Sequence, residues 1–183
     1  DDVERLERRV RELIKESEKL VDDLRKDVER LVKKSRDLNE RLREDVERLV
    51  KELEDRVRKR RGEELEKIVK DVVDRARELL ERSRRSSKEV AERLKELLER
   101  LKKSSEDVAR EMERLLEELK RVDRKEIIDK VRKEIEDLVR KDKEIIDEIR
   151  KEIRRLVEED EEISRRVEET IRRLIREVAE RIR

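Results

Sequence analysis

The apolar residues of this chain recur at every eighteenth position, and this repeat constrains the fold more than any local motif does. One column of the repeat is Leu6, Leu24 and Leu42. Other columns lie in the middle and last thirds of the chain: Val72, Val90 and Val108, then Ile135, Ile153 and Ile171. A repeat of this length makes about five turns of an unstrained α-helix, whereas repeats of about seven or eleven residues impose a supercoil. The repeat therefore predicts nearly straight α-helices.

Within each third of the chain, the apolar residues are spaced alternately three and four apart, as on one face of an amphipathic helix. This pattern predicts three helices, each roughly 90 Å long at a rise of about 1.5 Å per residue. Their expected bounds are about 2–60, 63–121 and 124–182. The row of apolar residues on the second helix includes Ala76, Ala91 and Ala109, which we expect to let neighbouring helices approach closely.

The first break between helices is marked by Gly62, the only glycine in the chain. The basic run 58–61 precedes it, and basic residues in a last turn followed by glycine are typical of a helix end. We expect Gly62 to adopt a positive φ, so that a β-branched residue in its place would be strained. Glu63 and Glu64 then place negative charge at the next helix N-terminus, where the helix dipole favours it.

The second break is marked by Asp123 and Glu126, which have the spacing of a capping box. Val122 before this cap and Ile127 after it fit a hydrophobic staple. Both connections are short, and short connections favour antiparallel neighbours in a helix bundle.

The expected fold is all-α: an antiparallel, up-down-up three-helix bundle with long, nearly straight helices, forming a single domain over residues 1–183. The spacing of the apolar residues shifts by only one or two positions at each break between helices. One continuous helix of about 180 residues is therefore the rival interpretation. The handedness of the bundle stays open, since both arrangements bury the same stripes. A disordered polyampholyte, which 62% charged residues would otherwise suggest, lacks such periodic apolar residues.

Most of the few uncharged polar residues, together with two aspartates, interrupt the apolar columns. In an antiparallel hairpin, residues that face each other have a constant sum of residue numbers. By this rule Ser17 faces Ser105, and Ser105 faces Asp142, with turns centred at the two breaks. The expected first polar layer is Ser17, Ser104, Ser105 and Asp142. The expected second polar layer is Ser35, Asn39, Ser83, Ser86, Ser87, Asp160 and Ser164.

These layers have two interpretations. At the edge of the stripe, the serines and aspartates would contact water. In the core, each polar group would need a partner, because an unpaired one costs about 1–3 kcal/mol. Hydroxyl groups around one carboxylate could then form a closed hydrogen-bond network. The agreement of three helices at two levels favours burial.

The composition offers no catalytic or metal centre. The chain has no cysteine and no histidine, which excludes thiolate nucleophiles, zinc thiolate sites and the commonest general base. Serine without a suitable base is a poor nucleophile. Each layer supplies a single stripe carboxylate, whereas di-iron bundles use several glutamates and histidines. We therefore expect no enzyme activity, no catalytic residue, no metal and no cofactor.

Composition also argues against two classes of partner. The net charge is +1 and the chain has no aromatic residue, unlike the basic faces and stacking aromatics of nucleic-acid binders. No apolar run approaches the roughly 20 residues that span a bilayer, and no signal-peptide pattern is present. We expect a soluble chain that binds neither nucleic acid nor a membrane.

As a whole, the chain resembles de novo designed helical bundles with straight, parametrically generated helices and buried hydrogen-bond networks. The resemblance rests on the repeating apolar columns, the restricted set of residue types, the tight connections and the matched polar layers. Natural three-helix proteins of the spectrin type are similar in architecture, but their aromatic landmarks are absent. The resemblance implies a stable scaffold with no natural location, soluble in the cytoplasm of an expression host.

The leading hypothesis is a monomeric scaffold without biochemical activity, in which the polar layers set helix register and no partner is expected. The alternative is an interaction module that self-associates or pairs with a partner helix. A third class, a lipid-surface protein that resembles the exchangeable apolipoproteins, would need wider apolar faces.

We predict high thermal stability, because exposed helix positions are mostly Glu, Lys and Arg, which are good helix formers, and the stripes can be fully buried. Far-UV circular dichroism should retain a strong helix signal near about 90 °C, the range of hyperstable domains. A cooperative melt below about 60 °C, as in ordinary mesophile domains, would contradict this prediction.

Overall fold

The computed structural model describes residues 2–60, 62–122 and 124–182 of the chain. These residues form three long helices and no strand: α1 (Asp2–Arg60), α2 (Glu63–Arg121) and α3 (Lys125–Ile182). Contacts among all three helices make the fold an antiparallel three-helix bundle, which confirms the predicted fold class. Two of the helices have their predicted bounds, and α3 begins one residue later than expected.

The chain divides into two compact units, each of which contains one segment of every helix. Unit 1 comprises residues 1–29 and 93–155, and unit 2 comprises residues 30–92 and 156–183. The prediction of a single domain over residues 1–183 stays a prediction.

In unit 1 the apolar stripes of the three helix segments meet in one core. Its buried members include Val10 of α1, Leu119 of α2 and Ile135 of α3. Antiparallel packing brings the start of α1 beside the end of α2, and an ion pair between Glu7 and Lys120 (3.2 Å) follows from it. Full burial of such apolar side chains stabilises the fold by about 1.5–3 kcal/mol each, before conformational entropy is subtracted.

In unit 2 a second core has the same construction. Val46 of α1, Ala76 of α2 and Ile171 of α3 are buried in it. Across its surface Arg77 lies 3.8 Å from Glu47, an exposed pair between α2 and α1. Exposed ion pairs of this kind contribute little, typically below about 1 kcal/mol, so the buried stripes carry the stability of each unit.

The outer faces of the helices are covered by charged residues. Many pairs three or four residues apart form ion pairs, such as Arg114 with both Glu111 and Glu118. Among the described residues, the exposed large apolar side chains are Leu20, Leu38 and Val122. Nowhere in the described helices is there a stretch apolar and uncharged enough to cross a bilayer.

Gly62 has a different role from the one expected. It directly precedes α2, and its carbonyl oxygen accepts a hydrogen bond from the backbone N–H of Glu66 at 3.0 Å, which is the N-cap arrangement. The left-handed φ expected at Gly62 is not found, and a Cβ added there would meet Leu65 at an ordinary 3.7 Å. The expectation of steric strain on substitution was therefore wrong, because glycine is also favourable as an N-cap.

The start of α3 also corrects the sequence analysis. The carbonyl oxygen of Arg124 accepts hydrogen bonds from the backbone N–H groups of Ile127 and Ile128, at 3.1 and 3.2 Å. This places the N-cap at Arg124, one residue after Asp123, which lies outside the described residues. Glu126 is an exposed acidic residue of the first turn. Val122 is 40% exposed, which argues against the expected staple to Ile127.

We predict that Gly62→Ser will raise the free energy of unfolding by about 0.3 kcal/mol, because a serine side chain at the N-cap accepts a hydrogen bond from the first turn. Gly62→Ala, which supplies a Cβ without an acceptor, should lower it by about 0.5 kcal/mol. Urea unfolding midpoints measure both changes. A loss of about 1 kcal/mol or more from both variants would instead indicate a left-handed residue at position 62.

Candidate functional site

The first polar layer joins the three helices of unit 1 by a chain of hydrogen bonds. The Ser17 Oγ of α1 donates to Oδ2 of Asp142 of α3 at 3.2 Å. The Oγ atoms of Ser17 and Ser105 are 2.6 Å apart. Since Ser17 has one hydroxyl proton and uses it on the carboxylate, Ser105 of α2 is the donor to Ser17. The chain of donation therefore runs from α2 through α1 to α3.

One oxygen of this layer has no donor. Asp142 is only 7% exposed, and within the described residues no protein group donates a hydrogen bond to its buried Oδ1. Burial raises the pKa of the Asp142 carboxyl, and the hydrogen bond from Ser17 only partly opposes this. The physical cause is that a charged group taken out of water must be compensated by partners, and here half of the carboxylate lacks them.

The second polar layer, in unit 2, satisfies its aspartate on both sides. Asp160 is 6% exposed. Ser35 Oγ of α1 donates to Oδ2 of Asp160 at 2.8 Å, and Ser87 Oγ of α2 donates to Oδ1 at 2.7 Å. Each carboxylate oxygen thus accepts a short, charge-assisted hydrogen bond from a different helix.

An asparagine extends this second layer. Asn39 Nδ2 donates to Ser87 Oγ at 2.8 Å and to the backbone oxygen of Ser35 at 3.0 Å. Ser83 Oγ donates to Asn39 Oδ1 at 2.9 Å, and it lies 3.4 Å from Ser164 Oγ of α3. Because Ser83 uses its proton on Asn39, Ser164 is the donor of that last, longer bond. The amide therefore uses both its donor and its acceptor within the layer.

Two serines assigned to the layers lie apart from these bonds. Among the described residues, Ser104 and Ser86 form none of the hydrogen bonds that link the other layer members, and both are half-buried. Ser104 lies in a surface depression beside Leu138 and Ile149. The remaining sequence-predicted layer residues are brought together by the bonds described above, three in unit 1 and six in unit 2.

A cavity that sequence reasoning missed adjoins the first layer. It has a volume of about 100 Å³ and is lined by Ser17, Ser105 and Asp142 together with apolar side chains of all three helices. Ala109 is one of its walls. The expected consequence of a small residue at position 109 was close helix approach, but here the short side chain borders open space. The alanine was the only sequence signal for this cavity.

The chemistry available to these groups is hydrogen bonding and charge. Serine hydroxyls beside a carboxylate lack the imidazole that activates a hydroxyl nucleophile. In the part of the chain that the structure describes, no three histidine, cysteine, aspartate or glutamate side chains cluster in a way that would hold a metal ion.

Comparison with protein-family models, with curated proteins and with solved structures found no match to this chain.

We predict that Asp142→Asn will change how stability depends on pH. With the folded pKa raised, the folded state holds the proton of Asp142 more strongly than the unfolded state does. Asp142 thus makes stability fall as pH rises from the ordinary carboxyl pKa of about 3.9 through the folded pKa. The variant should lose this decline. In urea unfolding experiments, the free energy of unfolding of the variant should therefore increase relative to that of the parent as pH rises through this range.

Asp160→Asn is the matched control, because it removes a carboxylate whose two oxygens both accept hydrogen bonds. It should lower the free energy of unfolding by about 1–3 kcal/mol at neutral pH, since an amide nitrogen would face a serine donor. If the two substitutions changed the free energy of unfolding with the same sign and the same pH dependence, the two carboxylates would have equivalent environments.

Proposed function

We propose that this chain is a designed structural scaffold without catalytic activity, whose polar layers set the register of its three helices. One observation supports the proposal most directly. In each unit, hydrogen bonds connect an aspartate of α3 with serines of α1 and α2. Asp160 accepts one bond from each of these helices, whereas Asp142 accepts one from Ser17, which is itself bonded to Ser105. Asp142 and Asp160 lie one sequence repeat apart. A repeat of about five helical turns that carries polar side chains to matching heights on three helices is typical of deliberate placement.

The register argument follows from what a slipped helix would meet. In unit 2, each hydrogen-bonded residue of the second polar layer has a counterpart one sequence repeat away, on the side of the connection between α1 and α2. These counterparts form a matching layer that is apolar throughout. These residues are Leu53, Val57, Leu65, Val69, Val178 and Ile182. If α3 slid along the bundle, Asp160 would be buried beside apolar side chains with no donor. Removing the partners of a buried charge costs about 3–5 kcal/mol, so wrong registers are penalised even though the correct one gains little.

A monomer is the oligomeric state that this proposal requires. Among the described residues the large apolar side chains left exposed are Leu20 (37%), Leu38 (49%) and Val122 (40%). They lie far apart from one another in the sequence, whereas helix pairing needs a continuous apolar strip. Size-exclusion chromatography with light scattering should give the mass of one chain. A concentration-dependent dimer would favour the alternative, an interaction module that self-associates.

The sequence repeat supplies the residues for a test of the layer. A full-layer variant takes each hydrogen-bonded second-layer residue, that is, all except Ser86, to its apolar counterpart: Ser35→Leu, Asn39→Val, Ser83→Leu, Ser87→Val, Asp160→Val and Ser164→Ile. We expect this variant to be as stable as the parent or more stable by about 1–4 kcal/mol in urea, because buried polar groups are replaced by apolar ones. Asp160→Val alone should cost about 1–3 kcal/mol, since Ser35 and Ser87 lose their acceptor.

Register is measured separately from stability. The parent and Asp160→Val should each give one set of amide peaks in a heteronuclear NMR spectrum, because the polar residues that remain in the second layer still disfavour other registers. The full-layer variant should show additional sets or a changed native mass. One set of peaks and an unchanged mass for the full-layer variant would mean that the second layer does not set register.

A further inference from the structure

We infer that the cavity beside Asp142 in unit 1 is a binding site for a short primary alkylammonium ion. Three features meet there: a buried carboxylate oxygen without a donor, an apolar wall, and a negatively charged rim. This role goes beyond that of a structural scaffold, and nothing in the register argument for unit 2 depends on it.

The unpartnered oxygen defines what the ligand must donate. Asp142 lines the cavity and is 7% exposed, and its Oδ1 lacks a hydrogen-bond donor among the described residues. Both serines that reach the layer have committed their protons, Ser105 to Ser17 and Ser17 to Oδ2. Oδ1 is itself covered, so a ligand reaches it when the carboxylate turns toward the cavity. A ligand with an N–H group then meets an acceptor for which no protein donor competes. A cation meets it best, because it also compensates the buried negative charge.

The wall and the volume define the rest of the ligand. Ile14, Met112 and Ile146, one from each helix, are among the apolar side chains that surround the space. The cavity of about 100 Å³ is somewhat smaller than a cavity of about 150 Å³ that admits benzene, and so fits a ligand of roughly four non-hydrogen atoms. A short alkyl chain on the nitrogen would lie against these side chains, and the ammonium group would face the carboxylate.

The rim favours a positive charge. Its exposed charged residues are Glu16 and Glu18 of α1, Glu106 of α2 and Lys143 of α3. Three carboxylates against one ammonium raise the local concentration of small cations at the entrance. Binding should weaken as pH falls through the raised pKa of Asp142, because the protonated carboxyl no longer attracts a cation.

The test is a titration of the isotopically labelled full chain with n-propylammonium chloride, followed by amide chemical shifts. We expect saturable shifts confined to residues around the cavity and a dissociation constant in the millimolar range, as befits so small a ligand. Two control ligands separate the role of the charge from that of the N–H donor. 1-Propanol has a similar length but is neutral, and tetramethylammonium is a cation without an N–H group. Both should bind on the order of tenfold more weakly or not at all.

Two substitutions in the cavity wall and one matched control locate the site. Asp142→Asn should weaken n-propylammonium binding roughly tenfold or more, because the charge of the acceptor is lost. The matched variant Asp160→Asn should leave binding unchanged, since both oxygens of Asp160 already have donors. Ala109→Leu, which places a larger side chain in the wall, should abolish binding. Circular dichroism establishes that each variant is folded. The pH dependence of n-propylammonium binding to the parent chain tests the role of the carboxylate without any variant.

Several outcomes would overturn the inference. One is the lack of a saturable shift by about 100 mM ligand, where a complex with a dissociation constant of roughly 1 mM would be filled. Equal binding of 1-propanol, whose hydroxyl is also a hydrogen-bond donor, would mean that the positive charge of the ligand has no role. Undiminished binding to folded Asp142→Asn, or affinity that does not fall with pH in the parent, would place the ammonium ion elsewhere.

Discussion

Each helix of this chain can leave water only along its repeating apolar stripe, because 62% of all residues are charged and occupy the remaining surface. Burial of the stripes is the main favourable term that offsets the conformational entropy of ordering three long helices. Any polar residue placed in a stripe lowers this gain and must find its partners inside the bundle. The two buried aspartates of α3, Asp142 and Asp160, bring this requirement into the core, and the surrounding serines supply the needed hydrogen bonds fully to Asp160 and only partly to Asp142.

The difference between the two layers comes from one neighbour of each serine. In the second layer, Asn39 donates to Ser87 Oγ, so the Ser87 proton is directed onto Asp160. The position one repeat before Asn39 is Val21, which cannot donate. In the first layer Ser105 therefore has no amide to orient it, and its proton goes to Ser17. The apolar residue in place of the amide at this column explains why, among the described residues, one oxygen of Asp142 has no donor.

The helices and the layers were predictable because both follow from periodicity. The repeating columns indicated which residues are buried, and the constant sum of residue numbers paired Ser17 with Ser105 and Asp142, which the hydrogen bonds join. For the connections between the helices, the position was predictable but the backbone conformation was not. Whether Gly62 ends one helix or caps the next depends on backbone angles that composition does not specify, since glycine suits both roles.

The sequence did not allow us to predict which acceptor each hydroxyl proton uses, or that a cavity adjoins the first polar layer. Residue numbers place hydroxyls at one height, but a hydroxyl rotates to whichever acceptor neighbouring donors leave to it. Ser104 and Ser105 are adjacent in the chain, yet only Ser105 joins the bonds, because successive helix residues point about 100° apart. The space beside Ala109 likewise depends on how closely three helices approach, which is a property of the packed unit and not of any one stripe.

In the proposed scaffold, a layer that sets helix register and a cavity that binds a ligand differ in the number of hydrogen-bond donors around their aspartates. Around Asp160 the donors match the acceptors, so the buried carboxylate is compensated and the proposal gives it only the role of positioning the helices. At Asp142 one donor is lacking among the described residues, and the side chain keeps an acceptor that costs stability and that we propose a small cation can use. The cost and the binding capacity have one origin, so any substitution that supplies a donor to Oδ1 of Asp142 should remove both together.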